Sequence, residues 1–341
     1  MEITRRKLLA GVLLTLAALT STCSSPGSPK ENPGLPPAVT VKAGNVELIT
    51  RHIDGYTVKS NIPFLTDGIA FFKGDVIISS QKDHTLTAYK ISKGKAEIDK
   101  SLFTDGVLAD KYKNDMRYPI AAGDGRLYYV SHVTHSTDGK DDKQSKVGAS
   151  LRMAEGSTAD KAYIYATSGT FQVGKLEGGL VTGLASTTLD IKKSGKNGNI
   201  PLGEYDKVIA KDNAIYMLGS SKAGEGDTCT MLVSMSTDGA LIRRYSSDNR
   251  QDPNFMFMAE DMEITDKYVL VYERSDTSVF VFDKKSGSLL GKASSADMFG
   301  KPSDIISMAK MDDRTVALIH RPQDKDSDGM YEYALSTVSL K

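Results

Sequence analysis

Near the C-terminus, Asp324, Asp326 and Asp328 alternate with Lys325 and Ser327, and Gly329 and Glu332 follow. Oxygen ligands at every second position, a glycine for a sharp turn and a further carboxylate are the donor set that Ca2+ requires. Leu335 stands where the twelve-residue calcium loop carries its last Glu, so the expected site is a variant loop. The competing expectation is that these acids merely solvate a hairpin. A second set is Asp67, Asp160, Asp206, Asp261 and Asp304, each expected just before an apolar strand, with Arg117 and Tyr118 holding that place once. If such strands converge, their carboxylates could bind a cation, an amine or a sugar at a common mouth. Alternatively each Asp bonds backbone amides nearby and fastens one element to the next.

The elements that must position these residues recur. The segment 206–220 reads as a short apolar strand, a tight polar turn and a second apolar strand, and diverged versions stand at 67–80, 118–131, 261–273 and 304–320. Weak self-similarity at a period of about 45 residues is what repetition of one small sheet produces. Four short antiparallel strands joined by polar turns make one blade of a β-propeller. The units predict an all-β propeller, most simply of six blades of four antiparallel strands, with seven the alternative because the unit at 160–200 is irregular. The last unit, 303–340, offers about three strands, and the pieces at 46–60 precede any unit. A closed ring follows if the N-terminal strand completes the last blade, which removes an open sheet edge between the chain ends. The polar stretch 134–146 reads as an insertion on a blade rim.

Composition narrows the function. Lys plus Arg equals Asp plus Glu at 43 each, and no long basic block occurs, so nucleic acid is not an expected partner. Only Cys23 and Cys229 are present, which leaves no disulfide framework and no Cys-x-x-Cys site. Cys229, in a strand-like run, reads as a buried thiol. His132 and His135 stand three apart near a strand end, where alternation of faces turns them away from each other. No Gly-x-Ser-x-Gly elbow or phosphate-binding glycine loop is present. The chain lacks Trp, so it has no Trp-Asp repeat signature.

The first residues carry an address. Arg5, Arg6 and Lys7 precede an apolar run at 8–19 and a small-residue run ending on Cys23. That order is the order of an export signal, and the run is too short to span a bilayer. The segment resembles a bacterial lipoprotein signal, with Cys23 the residue that would be lipidated, and 4–9 is similar to the twin-arginine export motif. Residues 24–37 hold five prolines and two glycines, the composition of a tether. The acidic loop at 324–332 resembles the calcium-binding hairpin loops of integrin-type propellers. The chain thus divides into an export signal at 1–22, a lipidated Cys and tether at 23–44, and a single propeller at 45–341. These resemblances imply a cell-envelope lipoprotein, membrane-bound through its lipid alone. Its expected role is a non-catalytic scaffold for an envelope protein or glycan. The alternative is an extracytoplasmic enzyme, a glycan hydrolase or lyase or a quinone-cofactor dehydrogenase, using the carboxylates of the mouth.

Overall fold

A computed structural model describes residues 36–341 apart from 64, 67, 84, 110–114, 122–125, 133–150, 154–161, 167–170, 178–179, 190–201, 223–227 and 238. Between 128 and 206, for 115–121, and at 109 and 222, it describes backbone pairing only. The signal, Cys23, the tether up to 35 and the insertion at 134–146 lie outside the described residues, and so do Asp67 and Asp160.

The strands run in the order that the repeats require. An N-terminal arm comprises β1 (Ala38–Ala43) and β2 (Val46–Ser60). The first sheet holds β3 (Ile69–Phe72), β4 (Asp75–Ser80), β5 (Thr85–Ser92) and β6 (Lys95–Ile98), with β7 (Val107–Ala109) paired to β5. The second contains β8 (Asp115–Ala121) and β9 (Leu127–His132). The third is β10 (Leu151–Met153), β11 (Ala162–Ala166), β12 (Phe171–Glu177) and β13 (Leu180–Leu189). The fourth is β14 (Leu202–Lys211), β15 (Ala214–Lys222), β16 (Thr228–Ser236) and β17 (Leu241–Arg244). The fifth is β18 (Ala259–Ile264), β19 (Tyr268–Glu273), β20 (Ser278–Asp283) and β21 (Leu289–Ser294). The sixth is β22 (Ser303–Lys310), β23 (Thr315–Pro322), β24 (Tyr331–Leu340) and, as its outer strand, β2.

First strands of neighbouring sheets touch in turn: β14 meets β18, β18 meets β22, β22 meets β3 and β3 meets β8, while β11 meets β14. That succession stands the sheets about an axis. The chain is a β-propeller, and the N-terminal strand closes it. Leu48 pairs with Leu340 at one end of the seam and Ser60 with Tyr331 at the other. The closing sheet joins the first through one parallel bridge, Asp54 to Lys95.

Strand sequences follow from this arrangement. A propeller sheet is covered on both faces, so its middle strands are apolar nearly throughout, while alternation still sorts their side chains. In β19, Leu270 and Tyr272 pack with Met308, Val316, Leu318 and Val338 of the sixth sheet. The intervening Val269 and Val271 pack with Ile209, Tyr216 and Leu232 of the fourth. Ile319, Tyr333 and Leu335 likewise join Ile69, Val76 and Ile78 of the first sheet. Each of these three cores is thus shared between neighbouring sheets.

The structure differs from expectation in four places. Strand β1 occupies 38–43 within the expected tether, because its alternating Val39 and Val41 pair with β2 at Thr50 and Leu48. The third sheet begins at Leu151, ahead of the expected 160. A one-turn helix, α1 (Ser295–Phe299), capped by the Ser294 hydroxyl and ended by left-handed Gly300, connects the fifth and sixth sheets. Finally, Asp206, Asp261 and Asp304 lie within β14, β18 and β22 and not ahead of them. A register shift occurs in each of these strands, between Tyr205 and Lys207, Ala259 and Asp261, and Ile305 and Ser307. Such bulges bend and twist a strand, and here Asp206 is itself the unpaired residue.

The turn of the N-terminal arm docks by close backbone contact. Gly44 has φ +63°, and a Cβ on it would stand 1.9 Å from the Leu290 carbonyl oxygen. A Cβ on Gly291 would stand 2.3 Å from the backbone nitrogen of Gly44. Both obstacles are main chain and cannot rotate aside. Gly291→Ala is therefore expected to destabilise the protein by about 1–3 kcal/mol, read from urea unfolding. Wild-type stability for this variant would show that the arm does not dock there.

Candidate functional site: the axial mouth and the acidic hairpin

The two expected mouth acids whose side chains are described are engaged by the scaffold. Asp261 lies 5 % exposed on β18. Its Oδ2 accepts the backbone N–H of Met308 at 2.6 Å, and its Oδ1 accepts its neighbour Met262 N–H at 2.8 Å. The Lys207 ammonium from β14 stands 2.9 Å from the same Oδ1 and donates to the Met308 carbonyl at 3.1 Å. Glu263 repeats the pattern two residues on, accepting Lys310 N–H at 2.9 Å and Ile264 N–H at 2.7 Å. The physical reason lies in the inner strand. Its axial edge has no partner strand, and buried backbone groups must find hydrogen bonds. Asp261 and Glu263 supply acceptors to β22, and Lys207 supplies a donor. Ser307 serves β3 in the same way, its Oγ lying 3.3 Å from Ile69 N.

Asp304 performs another fastening. Its Oδ2 is 3.0 Å from Arg321 Nη2, and its Oδ1 receives the Tyr272 hydroxyl at 3.2 Å and Gln323 Nε2 at 3.1 Å. Arg321 Nε donates to Pro63 O at 3.0 Å, and its guanidinium lies 4.1 Å over the Tyr331 ring. Burial, with the Asp304 carboxylate beside it, pushes the Tyr272 phenol upward and keeps it a donor. Asp304 thus ties the fifth and sixth sheets directly and, through Arg321, the segment that joins β2 to β3. For Asp206, Arg117 and Tyr118 the backbone alone is described, within β14 and β8.

Sequence reasoning did not single out the basic residues at the opposite ends of these strands. The Asp266 Oδ1 lies 3.1 Å from both Lys211 Nζ and Lys310 Nζ, and Lys310 Nζ also meets Asp313 at 3.1 Å. Hydrogen bonds from Lys211 and Lys310 hold the Asp266 carboxyl down at about 2. Burial, together with the Lys310 ammonium, lowers Lys211. Lysines at the ends of first strands were the available signal. Their pairing depends on neighbours one sheet away.

In the acidic hairpin the central carboxylate is engaged by the protein's own groups. Asp326 Oδ1 accepts the N–H groups of Asp328 at 3.0 Å and Met330 at 2.9 Å, fixing its own turn. Its Oδ2 is 2.8 Å from the Lys59 ammonium of β2. Lys301 and Lys325 join Asp324, Asp326 and Glu332 around a cavity of about 210 Å³. Among the described residues no group of three or more His, Cys, Asp or Glu side chains is placed to hold a metal ion. The Lys59 ammonium thus balances the charge of Asp326, the central carboxylate of the hairpin.

A carboxyl pair stands away from the axis. Asp75 on β4 is 4 % exposed, and burial followed by the nearby Asp99 carboxylate pushes it up to about 6. The folded chain retains this proton above the unfolded value near 3.9. Stability is therefore lost as pH rises through about 4–6. Asp75→Asn is expected to raise stability by about 1–3 kcal/mol at neutral pH, with the gain vanishing in acid. Equal urea midpoints for the two proteins at neutral pH would refute this. Cys229 is fully buried and unpaired as expected, and burial raises its thiol.

No family model matches the chain, and no curated protein matches it. Among solved structures it is similar to the Myxococcus xanthus glutaminyl cyclase, at 12% identity and TM-score 0.40 over 86% of this chain and 97% of that one. The WD40 β-propeller domain of Doa1 matches at 12% identity and TM-score 0.40 over 88% and 96%. The Neurospora crassa Pan2 WD40 domain matches at 8% identity and TM-score 0.38 over 88% and 89%. The class of this chain, a β-propeller, rests on its own sheets and on the succession of their first strands.

Proposed function

We propose that the chain is an exported, lipid-anchored propeller of the cell envelope that acts as a non-catalytic binding or assembly scaffold for a protein partner or an envelope glycan. The order of charge, apolar run and Cys23 in the sequence supports the address. The observation that carries the scaffold reading is the engagement of Asp261 and Asp304. Each carboxylate holds neighbouring sheets through buried donors, so neither is free to act as an acid, base or nucleophile. A residue engaged in this way contributes to rigidity, and a rigid surface loses little conformational entropy on binding. The ordered segment after β17 ends in Phe257 and Met258, which are 42% and 44% exposed. Side chains of this kind anchor protein interfaces.

The test is capture from envelope extracts on immobilised protein from Pro36 onward, compared with the Phe257→Ser, Met258→Ser variant. The reading expects a partner or glycan retained by the first and reduced at least tenfold on the second. Retention unaffected by the variant would remove Phe257 and Met258 from the interface. Turnover of a glycan by the protein would replace the scaffold reading with the enzymatic one.

A further inference from the structure

The hairpin with the spacing of a cation loop lies against the strand that closes the ring. We propose that Lys59 is the resident cation of this hairpin, a covalently tethered ammonium in the role that a bound metal ion fills in calcium loops, and that it latches the closing strand β2 to the last hairpin. Asp326 receives it at 2.8 Å on Oδ2, while Oδ1 is held by the two turn amides. The turn is completed within the chain. Asp326 N–H donates to Met330 O at 2.8 Å, and Gly329 N–H donates to Asp326 O at 3.0 Å, with Gly329 in the left-handed region at φ +72°. The carboxylate therefore has its turn made by backbone and its charge balanced by lysine.

The position of Lys59 gives the contact its consequence. Lys59 pairs with Glu332 in the seam between β2 and β24, next to the last register pair, Ser60 with Tyr331. Two further side chains clasp the segment that leaves β2. The Tyr333 hydroxyl donates to Ile62 O at 2.6 Å, and Arg321 Nε donates to Pro63 O. All three bonds originate in or end on the β23–β24 hairpin. They fix the end of β2 beyond its bulge, where the register with β24 shifts between Ile53 and Thr57. The bulge interrupts the ladder at 54–56 and leaves 57–60 as a short end of four register pairs, Thr57 with Ala334 to Ser60 with Tyr331, which these three side-chain bonds reinforce. Hydrogen bonding to Asp326 raises the Lys59 ammonium and lowers the Asp326 carboxyl, which keeps both charged at neutral pH.

The experiment compares full-length wild type, Lys59→Met, Asp326→Asn and the double variant by hydrogen exchange and thermal melting, each with millimolar CaCl2 and with EDTA. The expected result is that wild type melts identically with calcium and with EDTA. Amides of 57–60 should exchange about tenfold faster in either single variant, and no faster still in the double variant. Molar NaCl should accelerate the same amides in wild type and leave the variants unchanged, because an exposed pair is screened by salt. Calcium-dependent melting of wild type would overturn the proposal by giving the loop a metal. Unchanged exchange at 57–60 in Lys59→Met, or additive effects in the double variant, would equally overturn it. Asp326→Asn retains an oxygen for the two turn amides, so the comparison does not require the hairpin to refold.

Discussion

Asp304→Ala is expected to cost about 3–5 kcal/mol of folding free energy, the range found when one partner of a buried ion pair is removed. Asp304 and Arg321 side chains are 7% and 4% exposed. Truncation would leave the guanidinium with Pro63 O, Pro322 O and the Tyr331 ring, none of which carries a negative charge. It would also remove the acceptor of Gln323 Nε2 and the nearer acceptor of the Tyr272 hydroxyl, which would keep only Ser303 O at 3.5 Å. The loss comes mostly from the stranded charge and not from the pair itself. An Asp304→Leu, Arg321→Met double variant should therefore recover more than half of it, since apolar replacement of a whole buried pair is often neutral. Urea unfolding of the three proteins measures this. A loss below about 1 kcal/mol would place the pair with exposed ones and remove Asp304 as a tie between the fifth and sixth sheets.

A second large effect concerns acid. His320 on β23 donates or accepts through Nε2 with the Ser336 hydroxyl at 3.0 Å, and its Nδ1 has no partner. Its ring stacks on Phe299 of α1 with centroids 3.9 Å apart. Burial, then repulsion by His52 and by the Lys301 ammonium, lowers it to about 3. In the unfolded chain the same imidazole titrates near 6.5. Between these values the unfolded chain takes up a proton that the folded chain refuses, so stability falls as pH falls, at about 1.4 kcal/mol per unit for one fully differential site. His320→Gln keeps a group able to meet Ser336 and removes the titration. Wild type should lose about 2–3 kcal/mol more than this variant between about pH 6.5 and 4.5. Parallel stability curves for the two proteins would show that His320 is protonated without cost, against its burial.

Architecture was legible because it is written locally. Each hairpin such as 206–220 or 261–273 carries its own apolar runs and turn residues, and the incomplete last unit matched the spare strand at 46–60. The functions of the acids were not legible, because their partners are distant in sequence. Asp261 meets Met308 and Lys207, and Asp304 meets Pro63 only through Arg321. A sequence reader sees Asp near the start of a strand. Whether it faces an open mouth or the unpaired edge of the next strand is decided by ring geometry. Helix α1 was missed for another reason: five residues are too few to display a 3.6-residue period. Strand β1 was absorbed into the tether because the prolines beside it, Pro36 and Pro37, dominate local composition. In the acidic hairpin the spacing of the carboxylates is local and legible, whereas the lysine that meets Asp326 comes from a strand far away in sequence.

The seam also sets the order in which the molecule can be made. Leu48 pairs with Val41 in the hairpin of the arm and with Leu340 across the seam, so β2 can make its first pairing early but keeps an open edge until β24 is made. Contacts so far apart along the chain are formed late and slowly. Until then the waiting arm and the bare face of the first sheet are the places where a folding helper would bind, or where two unfinished chains would pair with each other.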